Sequence, residues 1–197
     1  MALTRVFDRM IGGNPINVKA YGAVGDGIAD DTAAIQSAVN AAGENGVVYI
    51  PAGEYYTNVN SGILLSYDNF TLYGDGPATK IKVDPVSQKR GFTIASDVAS
   101  SNPSSVVSNV VIRDILIDGM ADDASATVNE YSHGINTRKC SKVFIQNVSC
   151  INVRGDGVFI GYGAENVTVD GCYLESTVVT GGVKNYRQGV AVLSGKD

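Results

Sequence analysis

The sequence predicts an all-β fold, a right-handed parallel β-helix with one short N-terminal capping α-helix, and three observations carry that expectation. Composition is the first: of 197 residues 23 are Gly and 10 are Tyr, Trp is absent and only 18% are charged, a profile of short strands joined by turns rather than long solvated helices. The second is a strand-like repeat in the later half of the chain. The third is another repeat, interleaved with it, that marks where each coil turns.

In chain order, residues 1–15 are expected to form an N-terminal arm or attachment segment, because Gly12-Gly13-Asn14-Pro15 breaks regular structure. Residues 16–197 are expected to form the β-helix itself. Ile16 to Tyr21 has a strand pattern. In the helix that follows, Asp30-Asp31-Thr32 supplies N-cap chemistry, Ile35, Ala38, Val39 and Ala42 make one apolar stripe, and Gly43 closes the last turn. Val47–Ile50, Pro51-Ala52-Gly53 and Glu54–Thr57 then read as strand, tight turn, strand.

The first repeat aligns the segments beginning at Asn109, Lys142 and Asn166. With Val110, Val143 and Val167 in register, Ile112, Ile145 and Val169 fall two positions on. Ile115, Val148 and Cys172 follow at five, and Ile117, Cys150 and Leu174 at seven. All twelve are apolar. A period-2 strand would change faces between the second and fifth positions, so a bend is expected at Asp114, Asn147 and Gly171, residue types that tolerate the left-handed conformation. Residues 68–74 look like an earlier, weaker copy.

The second repeat begins at His133, Asp156 and Gln188, each followed by Gly and an alternating strand. Gly134 to Val143 is 9 residues and Gly157 to Val167 is 10, whereas whole coils vary from 23 to 33, which places the variable loops on one side. Such coils bury their apolar face only by stacking on neighbours, and the N-terminal helix covers the edge of the first coil. By the same arithmetic the next inward strand would begin at 198 or 199, beyond Asp197. The expectation is the N-terminal part of a longer β-helix, or an end covered by a partner.

Net charge of -5 provides no electrostatic footprint for nucleic acid or an anionic membrane. The first residues lack the apolar core of a signal peptide, and no run approaches the roughly 18 apolar residues of a membrane helix. Cys140, Cys150 and Cys172 lack metal-ligand spacing and sit in apolar runs, so they read as buried free thiols, with no metal site and no cofactor.

The stretch from Ile16 to Tyr56 resembles the opening signature of the pectate-lyase-like superfamily, and the periodic part extends the resemblance to about residues 16–197. That superfamily includes polysaccharide lyases and hydrolases, alginate C5-epimerases and bacteriophage tailspikes, so the resemblance implies the fold more than the chemistry. Asp26, Asp30 and Asp31 in its GDG-x-x-DD element are expected to cap backbone rather than catalyse. Epimerases of this fold carry a Tyr-Gly-Phe-Asp-Pro-His run; in GDGVFIGYG the matching positions are Asp156, Phe159 and Gly161, and the run's Tyr, Asp and His are absent. The paired aspartates and Gly-His-Gly of polygalacturonase-type hydrolases are also absent, as is an acidic array for Ca2+.

Equivalent residues of successive coils form columns about 4.8 Å apart. The residue before each repeat Gly gives the column His133, Asp156, Gln188, expected on the outer face, and two residues earlier stand Tyr131, Arg154 and Tyr186, with Arg187 beside them. Asp156 and His133 are the candidate catalytic acid and base, and Tyr131, Arg154, Tyr186, Arg187 and Gln188 the candidate saccharide contacts. Glu130, Asp118 and Asp122-Asp123 could add carboxylates. The competing expectation is a solvated polar ladder without function.

The resemblance, the N-terminal arm and the absent leader together point to a bacteriophage tail spike or fibre. Such a virion protein is made in the host cytoplasm, joins tail or adaptor proteins through its N-terminal residues and meets host surface polysaccharide, with or without cleaving it. Tailspikes of the family are homotrimers. A bacterial lyase, hydrolase or epimerase is the alternative, and a structural assembly module a third.

Overall fold

A computed structural model describes residues 14–85, 89–97, 103–120, 131–175, 177–180, 183–186 and 189–193, with side chains beyond 175 described only at 189–193. Residues 1–13 of the expected arm, and the last four residues, lie outside this set.

Left-handed residues set the shape of each coil. The expected bends occur at Asp114 (φ 57°), Asn147 (φ 50°) and Gly171 (φ 61°), and the amide of Asn147 donates to Asp114 Oδ1 at 3.1 Å. A second such column opens the same strands, at Asn69, Asn109, Lys142 and Asn166. There Asn109 donates to Asn69 and Asn69 to Asn45, at 2.9 and 3.1 Å. Stacked amides thus fix one coil upon the next where the backbone turns.

Between these corners the strands pair in parallel. One sheet runs β1 (Ile16–Asn17), β3 (Val47–Ile50), β6 (Phe70–Val83), β8 (Val107–Asp118), β10 (Cys140–Ile151) and β12 (Glu165–Asp170), with β13 (Tyr173–Leu174) beside β10 and with β2 (Asp26–Asp30) and β4 (Gly53–Thr57) attached through β6. The other runs β5 (Ile63–Leu65), β7 (Phe92–Ile94), β9 (Ile135–Arg138), β11 (Val158–Gly161) and β16 (Val190–Val192). Val143 faces both Val110 and Val167, Val148 faces Ile115, and Cys150 faces both Ile117 and Leu174, as the repeat predicts. The earlier copy is real: Phe70 pairs with Val110 and Leu72 with Ile112.

Inside, β-branched and aromatic side chains of the two sheets form one continuous core from Val18 to Val158. Cys140 and Cys150 belong to it and are free, as is the half-buried Cys172. Burial pushes the Cys140 thiol up to about 12 and raises the other two, so none is a thiolate at neutral pH.

Three expectations are corrected. Ile16 to Tyr21 is a strand only at Ile16–Asn17; a 3-10 turn takes Val18–Tyr21 because the Asn17 side chain accepts from Lys19 N and Gly22 is left-handed. Variable loops are not confined to one side, since residues 95–106 intervene between β7 and β8. The chain also leaves the coil pattern between β13 and β16, where β14 (Thr177–Thr180) and β15 (Val183–Tyr186) form an antiparallel hairpin.

The helix α1 (Thr32–Ala42) buries Ile35, Ala38 and Val39. Its acidic pair divides the work. Asp30 accepts from Thr32 N at 3.0 Å, while Asp31 turns away to accept from Val24 N and Gly25 N at 2.6 and 3.1 Å. Asp26 accepts from Ile28 N and Ala29 N, which hold its carboxyl below the usual range. All three are scaffold.

The helix also protects the edge of the second sheet through Gln36, whose carboxamide donates to Leu64 O at 3.1 Å and accepts from Leu64 N at 2.8 Å, as a neighbouring strand would. Replacing Gln36 with Ala is expected to cost about 1–2 kcal/mol. Amide exchange at Leu64 should rise with it; unchanged protection would refute the role.

Tyr55 is fully buried in β4 and donates to Pro51 O at 2.9 Å. Burial pushes its hydroxyl up to about 12, and the hydrogen bond to Asp84 does the same for Tyr56. A raised folded-state pKa stabilises fully below the unfolded value of about 10 and is lost as pH rises towards 12. Stability should therefore fall between these pH values, and Tyr55→Phe should flatten that fall in denaturant titrations; an unchanged slope would count against the assignment.

Candidate functional site

The glycines that open the second-sheet strands exist because backbone approaches backbone there. A Cβ at Gly91 would lie 2.5 Å from Gly134 O, and one at Gly134 2.6 Å from Gly157 O. Each of those carbonyls accepts from the residue after the preceding glycine: Phe92 N to Gly134 O at 3.0 Å and Ile135 N to Gly157 O at 2.9 Å. This tight spine brings the residues before each glycine, His133 and Asp156, into contact.

Asp156 N donates to His133 Nδ1 at 3.1 Å, which requires a lone pair on Nδ1 and places the neutral ring's proton on Nε2. Asp156 Oδ2 lies 3.3 Å from the same Nδ1 and becomes an ion-pair partner only when the ring is protonated. His133 and Asp156 do stand together, but not on the solvated outer face: His133 is 4% exposed and Asp156 2%. The reason is coil packing at the turn, where a Cβ on Gly155 would be 2.8 Å from Ser132 O and 3.0 Å from His133 Nδ1.

The other expected members fare differently. Tyr131 is 53% exposed. Arg154 is half-buried and lines a small cleft, about 240 Å3 of open space, with Lys89, Asp84, Ser132 and His133. Tyr186 belongs to the hairpin strand β15 rather than to a coil wall. Arg187, Gln188, Glu130 and Asp122-Asp123 lie outside the described residues. Asp118 is engaged in the turn, accepting from Met120 N and from Asn152 Nδ2 at 2.9 and 3.0 Å.

What the fold adds is the row of the second sheet Thr93, Asn136 and Phe159, register neighbours that are all buried. Asn136 donates to Thr93 Oγ1 at 3.5 Å. His133 stacks on Phe159 with centroids 4.6 Å apart, Phe159 meets Tyr162 at 5.8 Å, and Arg138 lies over the Tyr162 ring at 5.5 Å. A histidine, two aromatic rings and a guanidinium thus run in continuous contact from the turn across this face. Arg90, before Gly91, stands in the His133 position one coil earlier. Arg90-Gly91-Phe92 is a legible copy of the repeat, but the 95–106 insertion hides it from an alignment based on fixed offsets.

The epimerase run matched above to the coil of Asp156 also fits His133-Gly134-Ile135-Asn136-Thr137-Arg138, with Asn136 and Arg138 in place of its Asp and His. An amide and a guanidinium cannot take and return a proton at neutral pH as a carboxylate and an imidazole can. Among the described residues no cluster of His, Cys, Asp or Glu is arranged to hold a metal ion.

Stacked parallel coils with a helix over the first edge define the class, a parallel β-helix. The chain belongs to the family described as rhamnogalacturonase A/epimerase, pectate lyase-like, which it matches over residues 15–195. It is 37% identical over 126 residues to mannuronan C5-epimerase AlgE4 of Azotobacter vinelandii, covering 60% of this chain and 22% of that protein. It is 24% identical over 180 residues to the preneck appendage protein of Bacillus phage PZA, covering 80% of this chain and 20% of that one. Among solved structures, ORF18 of Geobacillus virus E2 superposes with a TM-score of 0.59 at 23% identity, covering 86% of this chain and 37% of its own. The chain thus spans about a fifth of the length of these two curated relatives.

Proposed function

We propose that this chain is the β-helical part of a bacteriophage tail spike or tail fibre, a virion component that binds host surface polysaccharide where Tyr131 and Tyr162 are exposed beside its second sheet. The observation that carries the reading is the pair of exposed rings Tyr131 and Tyr162, with Arg138 over the Tyr162 ring and the buried His133–Phe159 stack in contact with it. Aromatic faces suit sugar rings and a guanidinium suits their polar substituents. Similarity to a phage appendage protein supports the virion setting. In this reading the N-terminal residues join tail proteins and three copies assemble side by side.

Binding of the purified chain to surface polysaccharides from a panel of bacteria tests the proposal. Tyr131→Ala and Arg138→Ala are each expected to weaken binding about tenfold, about 1.4 kcal/mol. Parent-like affinity in both would exclude this face. Light scattering should report a trimer; a clean monomer would count against the tailspike setting.

The similarity to an epimerase over 126 residues favours a second reading, a polysaccharide-modifying enzyme with Asp156 and His133 as its acid and base. Both are buried, although His133 borders the cleft. If the parent releases or alters saccharide and Asp156→Asn and His133→Ala do not, this reading holds; equal products from all three would remove the pair from the chemistry.

A further inference from the structure

One row on the first sheet points away from the core and is nevertheless out of water. Val48, Leu72, Ile112 and Ile145 are register neighbours that face inward and belong to the core. Alternation therefore turns the residues just before them, Val47, Thr71, Val111 and Phe144, to the outside, where they too stand in register. Val47 is 5% exposed, Thr71 3% and Val111 1%, yet neither valine is part of the continuous core. Phe144 is half-buried, and Thr168 on the next strand is exposed. In the neighbouring outward row Tyr49, Tyr73, Arg113 and Gln146 are all half-buried. A cover thus lies over one row across four strands, and because a single chain buries the row, the cover belongs to this chain.

The segment before the first strand adjoins that row. Ile16 pairs with Val48, so Pro15, one residue earlier, arrives beside Val47 and residues 1–13 lead on from there. Within them Leu3, Val6, Phe7, Met10 and Ile11 recur at the i, i+3, i+4, i+7, i+8 spacing of one helical face, and Thr4, Arg5, Asp8 and Arg9 fall on the opposite side. Gly12-Gly13 breaks the pattern and permits a change of direction. A helix from Leu3 to Ile11 is about 12 Å long, and the four strands from Val47 to Phe144 span about 14 Å.

We propose that residues 3–11 form an amphipathic helix that docks across the outer face of the first sheet, its Leu3, Val6, Phe7, Met10 and Ile11 stripe packed on the Val47–Thr71–Val111–Phe144 row. The occupant of this face is the chain's own segment, entering at Val47 and running along the solenoid towards Phe144. Its polar side, with Arg5, Asp8 and Arg9, stays turned to solvent, where an external partner such as a tail protein would meet it. The inference goes beyond the polysaccharide reading and does not rest on it.

Trypsin supplies the first test, because the stripe contains two cleavable bonds, Arg5–Val6 and Arg9–Met10. Docking should shield both in the full chain. Phe7→Asp, outside the coil core, should release the segment and be cut there about tenfold faster. Equal rates in parent and variant overturn the proposal.

NMR supplies the second. Nuclear Overhauser contacts are expected from the Phe7 ring to the Val111 methyl groups, whose resonances should shift in Phe7→Ala. Contacts to Val111 from another segment, with none from residues 3–11, overturn the proposal. In a mixture of labelled and unlabelled chains, contacts that cross from one chain to another would put the stripe on a second copy and overturn its docking on its own sheet.

Discussion

Gly134→Ala is expected to lower the unfolding free energy by about 3 kcal/mol, the upper part of the range for an overpacked core. The added Cβ would lie 2.6 Å from Gly157 O and 2.7 Å from Cys150 Sγ. Neither neighbour can yield cheaply. Gly157 O is held by the Ile135 N–H at 2.9 Å, and Cys150 is 0% exposed in the core. Moving either separates two coils along a sheet. Gly76→Ala is the contrasting variant, because Gly76 has a positive φ, 66°, which Gly134 does not, and nothing lies within 4 Å of its Cβ position. It should cost only the backbone strain, about 1 kcal/mol. Urea unfolding of both variants decides the matter; a loss at Gly134→Ala no larger than that at Gly76→Ala would refute close approach as the reason for the glycine spine.

Phe92→Ala should be at least as damaging, with a loss of about 3–5 kcal/mol. Phe92 is fully buried and stands between Ile63 and Ile135 in the inward row of the second sheet. Each coil touches mainly its neighbours, so the cavity weakens two interfaces at once. Hydrogen exchange should therefore quicken in β5, β7 and β9 while β12, two coils further on, keeps its protection. Uniform loss across all coils would show instead that the solenoid unfolds as a single unit.

The first sheet was legible because two signals agree at each corner. Alternation of Val143, Ile145, Val148 and Cys150 breaks at Asn147, and Asn147 is a residue that accepts the conformation the break needs. Strand pairing then follows from register alone. The second sheet was less legible. Its strands are only three or four residues long, too short for periodicity to stand out, and the 95–106 insertion displaces the copy at Arg90-Gly91. Adjacency of His133 and Asp156 could be read from the glycine offsets. Their burial could not, because it comes from Gly155 pressing against Ser132 and His133, a contact between coils that no local pattern encodes.

Ile16 to Tyr21 shows a similar limit at the other end of the chain. Its alternation suits a strand, yet the Asn17 side chain captures Lys19 N and winds the segment into a 3-10 turn. A side chain that competes for backbone donors outweighs a weak strand preference.

The sequence by itself determined the coil: which side chains turn inward, where the backbone must adopt a left-handed conformation, and which residues stand one above another. Those properties are local and repeat, so one chain carries several copies of the same signal. Only the tertiary structure decided which stacked residues meet solvent and which meet each other. It buried His133 and Asp156, set Arg154 in a small cleft beside His133 and placed Arg138 over Tyr162. The physical reason is that exposure depends on the turns and neighbouring coils that cover a position, and these vary in length from coil to coil while the strands beneath them do not.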